Sequence, residues 1–406
     1  MSTNAFLNAL WRIHEGRFWR SMEVACDSVS SHHGTSRRDP ERRGRESRSA
    51  LALAAGTDGK LSLPSVTKTH TSPLGASIWP AVGYSAASAT KEFKPMSNTN
   101  RMSPNDIKTQ LDGPVMSIPT SFLADGSIDY DGVANVIETG VAGGTQVSLL
   151  TIGDSQFAFM RDQEVADITQ FVVDRAGGRT LVVAATSAWA TAQAVEFAHY
   201  TRDVGADVLM TLPVGQAPGA DPSGIAAHYK AVAAVMPVMI VGFPDHAVLE
   251  QLLDEPNICC MKEDGTDTYA VQTIERFGSH WKFMSGGLIG RHLLQWTYGC
   301  RSFMDWSTSF APHVGARMWQ ALEAGDVRTA SAVVTDVETP LFNLSGHPRN
   351  VRNTGTFTGG WQSLWRACLE LNGIASRHLR LPQVSASQAD LDQVKPELER
   401  LALLKM

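Results

Sequence analysis

The chain has 406 residues, 43% of them hydrophobic and 19% charged, with a formal net charge of -6. That balance is ordinary for a globular protein and gives neither nucleic acid nor an anionic membrane a complementary surface, so the expected partner is a small molecule. Five scattered cysteines (Cys26, Cys259, Cys260, Cys300 and Cys368) with no CxxC pair argue against a disulfide framework and a zinc site, and fit a reducing, cytoplasmic setting.

In chain order, residues 1–100 are rich in Ser, Gly, Arg and Pro and show no sustained apolar period, which predicts a disordered extension. The opening segment could form a short amphipathic helix, but Glu15, Glu23 and the missing cleavage pattern argue against an import signal. Met96 and Met102 stand where the globular pattern begins, so the native chain is expected to start there, without the upstream part. No apolar run approaches the roughly 18 residues of a membrane-spanning helix.

From Gly113 a regular alternation sets in. The apolar runs PVMSIP, QVSLLT, TLVVAAT, DVLMTL, PVMIVG, ICCMK, WKFMSG and RSFMDW predict eight strands, and the segments between them carry helical apolar spacing. Near-continuous apolar strands separated by helices imply a parallel sheet covered on both faces. Eight such units over residues 110–325 predict an α/β fold, a (β/α)8 TIM barrel, followed by a C-terminal helical subdomain over 326–406. An open doubly wound sheet is the weaker alternative, because no strand-to-helix turn carries a GxGxxG or GxxxxGK[ST] fingerprint.

In such a barrel the active site is built at the carboxyl ends of the strands. The sixth run, in CCMKEDG, ends on Lys262, and a period of two sets it on one face with Ile258 and Cys260. A lysine at a strand end is otherwise a solvated boundary residue. Apolar surroundings disfavour an ammonium, and only a neutral amine attacks a ketone. Lys262 is therefore the candidate nucleophile for a 2-oxo acid.

Three stretches carry a resemblance. PVMIVGFPDH followed by DEPNICCMKEDG, the loop LLTIGDSQF, and DVGADVLMTLP resemble, in this order, strand five with the strand-six lysine, the loop after strand two, and the run into strand four of the dihydrodipicolinate synthase / N-acetylneuraminate lyase family. The resemblance covers residues 113 to about 400. It implies a Schiff-base lysine at Lys262, a substrate-carboxylate loop at Thr151, Ile152, Gly153 and Asp154, in which Thr151 is also a catalytic candidate, and pocket-lining residues at Ser285 and Gly286. A glycine-containing loop opening a helix presents free N–H donors to an anion, which suits that role. The implied activity is a lyase that cleaves or joins a carbon–carbon bond beside a pyruvyl unit, without cofactor or metal, in a homotetramer or dimer.

Departures from the family pattern narrow this. Val241 stands where the family's Tyr-Asn-x-Pro motif has its proton-shuttling tyrosine, and Val214 and Gly215 replace the tyrosines after strand four. His246 takes the place of an arginine that grips a second carboxylate in many members. A true dihydrodipicolinate synthase is thus not expected. Histidine is the side chain that titrates near neutral pH, so His246 is the first candidate for proton transfer, with Asp154, Glu263 and Asp264 behind it. Two alternatives remain open: a 2-keto-3-deoxy sugar acid dehydratase using the same lysine, and a non-catalytic 2-oxo acid-binding barrel.

Overall fold

The computed structural model describes residues 102–212, 221–345 and 360–404; the expected N-terminal extension, Val214 and Gly215 lie outside these. Eight parallel strands close a barrel in chain order. They are β1 (Gly113–Ser117), β2 (Val147–Leu149), β3 (Leu181–Ala185), β4 (Val208–Thr211), β5 (Val238–Gly242), β6 (Ile258–Glu263), β7 (Lys282–Ser285) and β8 (Ser302–Asp305). Each apolar run read from the sequence coincides with one of them to within a residue or two at either end, and β1 pairs with β8 to complete the circle.

The helices α2 (Tyr130–Ala142), α3 (Asp162–Ala176), α4 (Thr191–Val204), α5 (Pro222–Ala233), α6 (His246–Glu250), α7 (Asp267–Phe277), α8 (Gly290–Trp296) and α9 (His313–Glu323) follow the strands in turn. They exist because their apolar stripes have the sheet to cover: Val133, Val136 and Ile137 of α2, for example, are buried. The helix α6 is shorter than its apolar pattern suggests, a single turn ending well before Pro256.

One element is not evident from the strand pattern. The helix α1 (Pro104–Gln110) precedes the barrel, opened by a capping box between Ser103 and Asp106. Lys108 Nζ donates to His280 O (2.7 Å) and Gln110 Nε2 to Gln146 O (3.3 Å), and both acceptors lie just before a strand begins. With Ile107 and Leu111 fully buried, α1 closes the amino-terminal end of the barrel.

Beyond the barrel run α10 (Val327–Val333), a π-helical turn (Val334–Glu338), α11 (Thr339–Leu344), α12 (Gly360–Leu371) and α13 (Gln388–Arg400). The helix α12 buries Leu364, Trp365, Ala367, Cys368 and Leu369, and full burial of each large apolar side chain is worth about 1.5–3 kcal/mol. The C-terminal segment is also tied to the barrel by polar contacts. Asp129, which caps α2, accepts from Ser376 N (2.7 Å), and Arg380 pairs with Glu164 of α3 (2.6 Å).

Candidate active site

The inner layer at the carboxyl ends follows from register. On β6, Lys262 lies opposite Val241 of β5 and Met284 of β7. Directly paired residues of neighbouring strands share a face, so the lysine stands in the barrel interior between two apolar side chains. Only 6% of it is exposed. Its amine is nevertheless not alone: Asp264 sets both carboxylate oxygens against Nζ, at 2.5 and 2.6 Å.

Two glycines make room for this arrangement. Gly242 ends β5 with φ +97, a conformation that favours glycine, and its carbonyl accepts from Asp264 N (3.2 Å). Gly286, at the end of β7, lies so close that a Cβ there would collide with Asp264 Oδ1. Its own N–H donates to Glu263 O (2.9 Å), which fixes the turn beside the lysine.

Glu263 faces the other way, as the period of two requires. It is fully buried in the helix layer, paired with Arg291 Nη2 (2.9 Å) and accepting from Gln295 Nε2 (2.8 Å), both on α8. Burial pushes its carboxyl above the usual range, against the pull of Arg291. The start of α8 is held in turn by Glu338, which accepts from Ile289 N (2.7 Å) and Gly290 N (3.1 Å).

Ser285 differs from its expected place. It pairs in register with Glu263, so its side chain belongs to the outer face, where its buried Oγ has no partner among the described residues; Met284 is the β7 neighbour of the lysine. Gly286 stays beside the site through its contact with Asp264.

The loop after β2 is tightly braced. Thr151 Oγ1 accepts from Asp154 N (2.9 Å), and Thr151 N donates to Ser155 Oγ (3.0 Å), which donates to Ile118 O (2.7 Å). Asp154 accepts from Ser117 Oγ (2.7 Å) at the top of β1 and from Gln362 Nε2 (3.2 Å) on α12. The fully buried Arg366, one turn along α12, donates to Asp154 O (2.6 Å) and Thr120 O (2.8 Å). Ile152 packs partly against the core and Gly153 is exposed. Among the described residues the N–H groups of Ile152 and Gly153 have no protein acceptor. The loop thus presents two backbone donors from a rigid support, the arrangement that binds an anion.

His246 requires a correction. Its Nε2 is 2.8 Å from Thr273 Oγ1, and its ring packs on Tyr269 and Phe277, with centroids 5.3 and 5.6 Å away. All three partners lie on α7, so the ring is committed to the α6–α7 contact outside the barrel and not to Lys262. As the first residue of α6, after the cap Asp245, it takes its direction from the helix; the chain order after β5 does not reveal this. Asp264, ranked behind it, is the group that meets the lysine. Gln362 and Arg366 were not evident as site residues, since nothing local marks them as partners of a loop about 210 residues earlier.

Residues 110–401 match the sequence profile of the dihydrodipicolinate synthetase family. The chain belongs to this family. Among curated members it is 28% identical over 319 residues to a 4-hydroxy-tetrahydrodipicolinate synthase of Psychrobacter sp., covering 75% of this chain and 99% of that protein. It is 25% identical over 287 residues to a probable 5-dehydro-4-deoxyglucarate dehydratase of Streptomyces coelicolor, covering 68% and 86%. The same barrel occurs in a pyruvate-complexed dihydrodipicolinate synthase from Acinetobacter baumannii, with TM-score 0.62, 18% identity and coverage of 72% of this chain and 100% of that one. It also occurs in an N-acetylneuraminate lyase from Mycoplasma synoviae, with TM-score 0.63, 15% identity and coverage of 72% and 99%. The chain is thus similar in sequence to synthases and to a probable dehydratase and shares its barrel fold with a lyase, and among its described residues no helix is long and apolar enough to cross a membrane.

Proposed function

We propose that the protein is a Schiff-base-forming lyase that acts on a 2-oxo acid, with Lys262 as nucleophile. The observation that supports this most is the place of the lysine: it ends β6 inside the barrel mouth, nearly enclosed, between Val241 and Met284. The substrate carboxylate would lie on the free N–H groups of Ile152 and Gly153, with Thr151 and Asp154 bracing the loop and Gly286 lining the lysine's side of the pocket. Attack of Nζ on C2 gives an iminium that withdraws electrons from C3. Cleavage or formation of a bond to C3 then becomes feasible, since the developing carbanion is stored as an enamine.

A dehydratase reading uses the same iminium and expels a hydroxyl instead of an aldehyde; the likeness to a dehydratase from Streptomyces coelicolor favours keeping it. Dihydrodipicolinate synthesis is the reading we place last, on Val241, which offers no phenol beside the lysine.

The test is borohydride reduction in the presence of pyruvate and longer 2-oxo acids, read by peptide mass. Adduct mass on Lys262, and none on Lys262→Ala, is the expected result. A label on another lysine, or none with any 2-oxo acid, overturns the assignment. Efficient condensation of pyruvate with aspartate semialdehyde would restore the synthase reading.

A further inference from the structure

The pairing of Asp264 with the lysine resolves a difficulty that Schiff-base chemistry poses for this chain. Forming an iminium from an ammonium and a ketone requires two protons to travel from nitrogen to the carbonyl oxygen, which leaves as water. Some group within reach of both atoms must carry them. On the neighbouring strands, the residues level with Lys262 are Val241 and Met284, and neither bears an ionisable proton. His246 is engaged on α7. Glu263 points into the helix layer, where Arg291 and Gln295 hold it.

We propose that Asp264 is the acid–base residue of this site, carrying protons between Nζ of Lys262 and the carbonyl oxygen of the bound 2-oxo acid. The inference rests on Lys262 being the nucleophile, and goes beyond it by assigning the proton carrier. Both oxygens of Asp264 touch the reacting nitrogen, at 2.5 and 2.6 Å. Its side chain is 30% exposed while that of Lys262 is 8% exposed, so the carboxylate forms the solvent side of the pair and meets an entering substrate together with the amine. The structure reserves this place: the absent Cβ of Gly286 is the space that the carboxylate fills.

The step balances. Asp264 takes one proton from the ammonium, and the neutral amine attacks C2 as the carbon–oxygen π bond opens. The carboxylic acid returns that proton to the oxygen, giving a hydroxyl. Asp264 then takes the second proton, now on the carbinolamine nitrogen, and delivers it to the hydroxyl, which departs as water while the nitrogen lone pair forms the iminium. The carboxylate is regenerated beside a cation and remains its counter-ion. No oxidant, metal or other co-reactant is needed.

Among the described residues, the charged groups around the pair are Glu263 on β6, Arg291 on α8, which hydrogen-bonds Gly286 O, and Asp267 on α7, paired with Arg291 Nε at 3.6 Å. These are mutually engaged and common to all variants, so a change in pH profile on altering Asp264 reports on the Asp264–Lys262 pair, and the formate series separates the carboxylate's part from the lysine's.

The experiment is rapid-quench borohydride trapping of pyruvate on the wild-type chain, Asp264→Asn and Asp264→Ala, followed across pH, with formate added in a parallel series. General acid–base help is typically worth about 10²- to 10⁴-fold, so trapping should slow by that factor in both variants at neutral pH. The Asn variant should recover as pH rises, since hydroxide then removes the ammonium proton, and formate should accelerate the Ala variant at least about tenfold by standing in for the lost carboxylate. Asp264→Glu should retain part of the rate. Unchanged trapping in the Asn variant overturns the role of Asp264 and leaves that of Lys262 intact. Slow trapping that neither pH nor formate restores makes Asp264 a positioning residue only, and also overturns the proposal. Absence of label on Lys262 in the wild-type chain instead refutes the lysine, and with it this inference.

Discussion

Glu338 offers a measurable consequence of how the site is supported. It is 4% exposed, and its carboxylate reaches from the π-helical turn to the first N–H groups of α8, the helix whose Arg291 and Gln295 hold Glu263 behind the lysine. Burial, reinforced by nearby Asp305, pushes its carboxyl from an ordinary 4.5 up to about 8, although the two N–H donors oppose the shift. Since the folded value is raised, the native state keeps a proton that the unfolded chain releases. Its stabilisation is full below about pH 4.5 and is lost as pH rises through about 8. At about 1.4 kcal/mol per pH unit the loss amounts to at most about 5 kcal/mol. Glu338→Gln removes the titration while keeping one acceptor oxygen for α8. In urea unfolding at pH 5.5, 7 and 8.5, the variant should gain on the wild-type chain by several kcal/mol from the lowest to the highest pH. Buried carboxyls that do not act on Glu338 titrate in both proteins and cancel in the difference, leaving Glu338 with its neighbour Asp305. Parallel stability curves would refute the reasoning and mean that Glu338 is ionised throughout, held by the helix start.

Arg366→Met should destabilise the fold by about 2–6 kcal/mol, because it strands the carbonyls of Thr120 and Asp154 without their donor, each at a cost of about 1–3 kcal/mol. The same variant should weaken pyruvate binding in calorimetry more than it slows trapping at saturation; unaltered affinity would show that the loop does not need this brace. His246→Ala should cost about 1 kcal/mol, from its bond to Thr273, and leave turnover on the true substrate within about twofold. A hundredfold loss of turnover would return the histidine to the reaction.

The barrel was legible because its strands are buried on both faces and so read as apolar runs, with Lys262 conspicuous at the end of one of them. What escaped depends on neighbours remote in sequence. The outward turn of Ser285 follows from its pairing with Glu263, and a strand's own pattern does not state its register. Asp264 owes its position to the missing side chain of Gly286, just past the end of the next strand. The direction of His246 was set by Thr273, Tyr269 and Phe277, one unit further along. By contrast α1 did carry a local mark, the Ser103–Asp106 capping box, but at seven residues it has too few apolar positions to show a helical period.

The contacts of Gln362 and Arg366 with Asp154 span 208 and 212 residues. At a synthesis rate of about 5–20 residues per second, the loop after β2 leaves the ribosome roughly 10–40 s before the helix that braces it. All eight strands can emerge while this part of the mouth still lacks its support. A nascent barrel therefore has its lysine before the loop after β2 is braced, and competence to hold the proposed substrate would arrive late, with the last helices, as a built-in order of maturation.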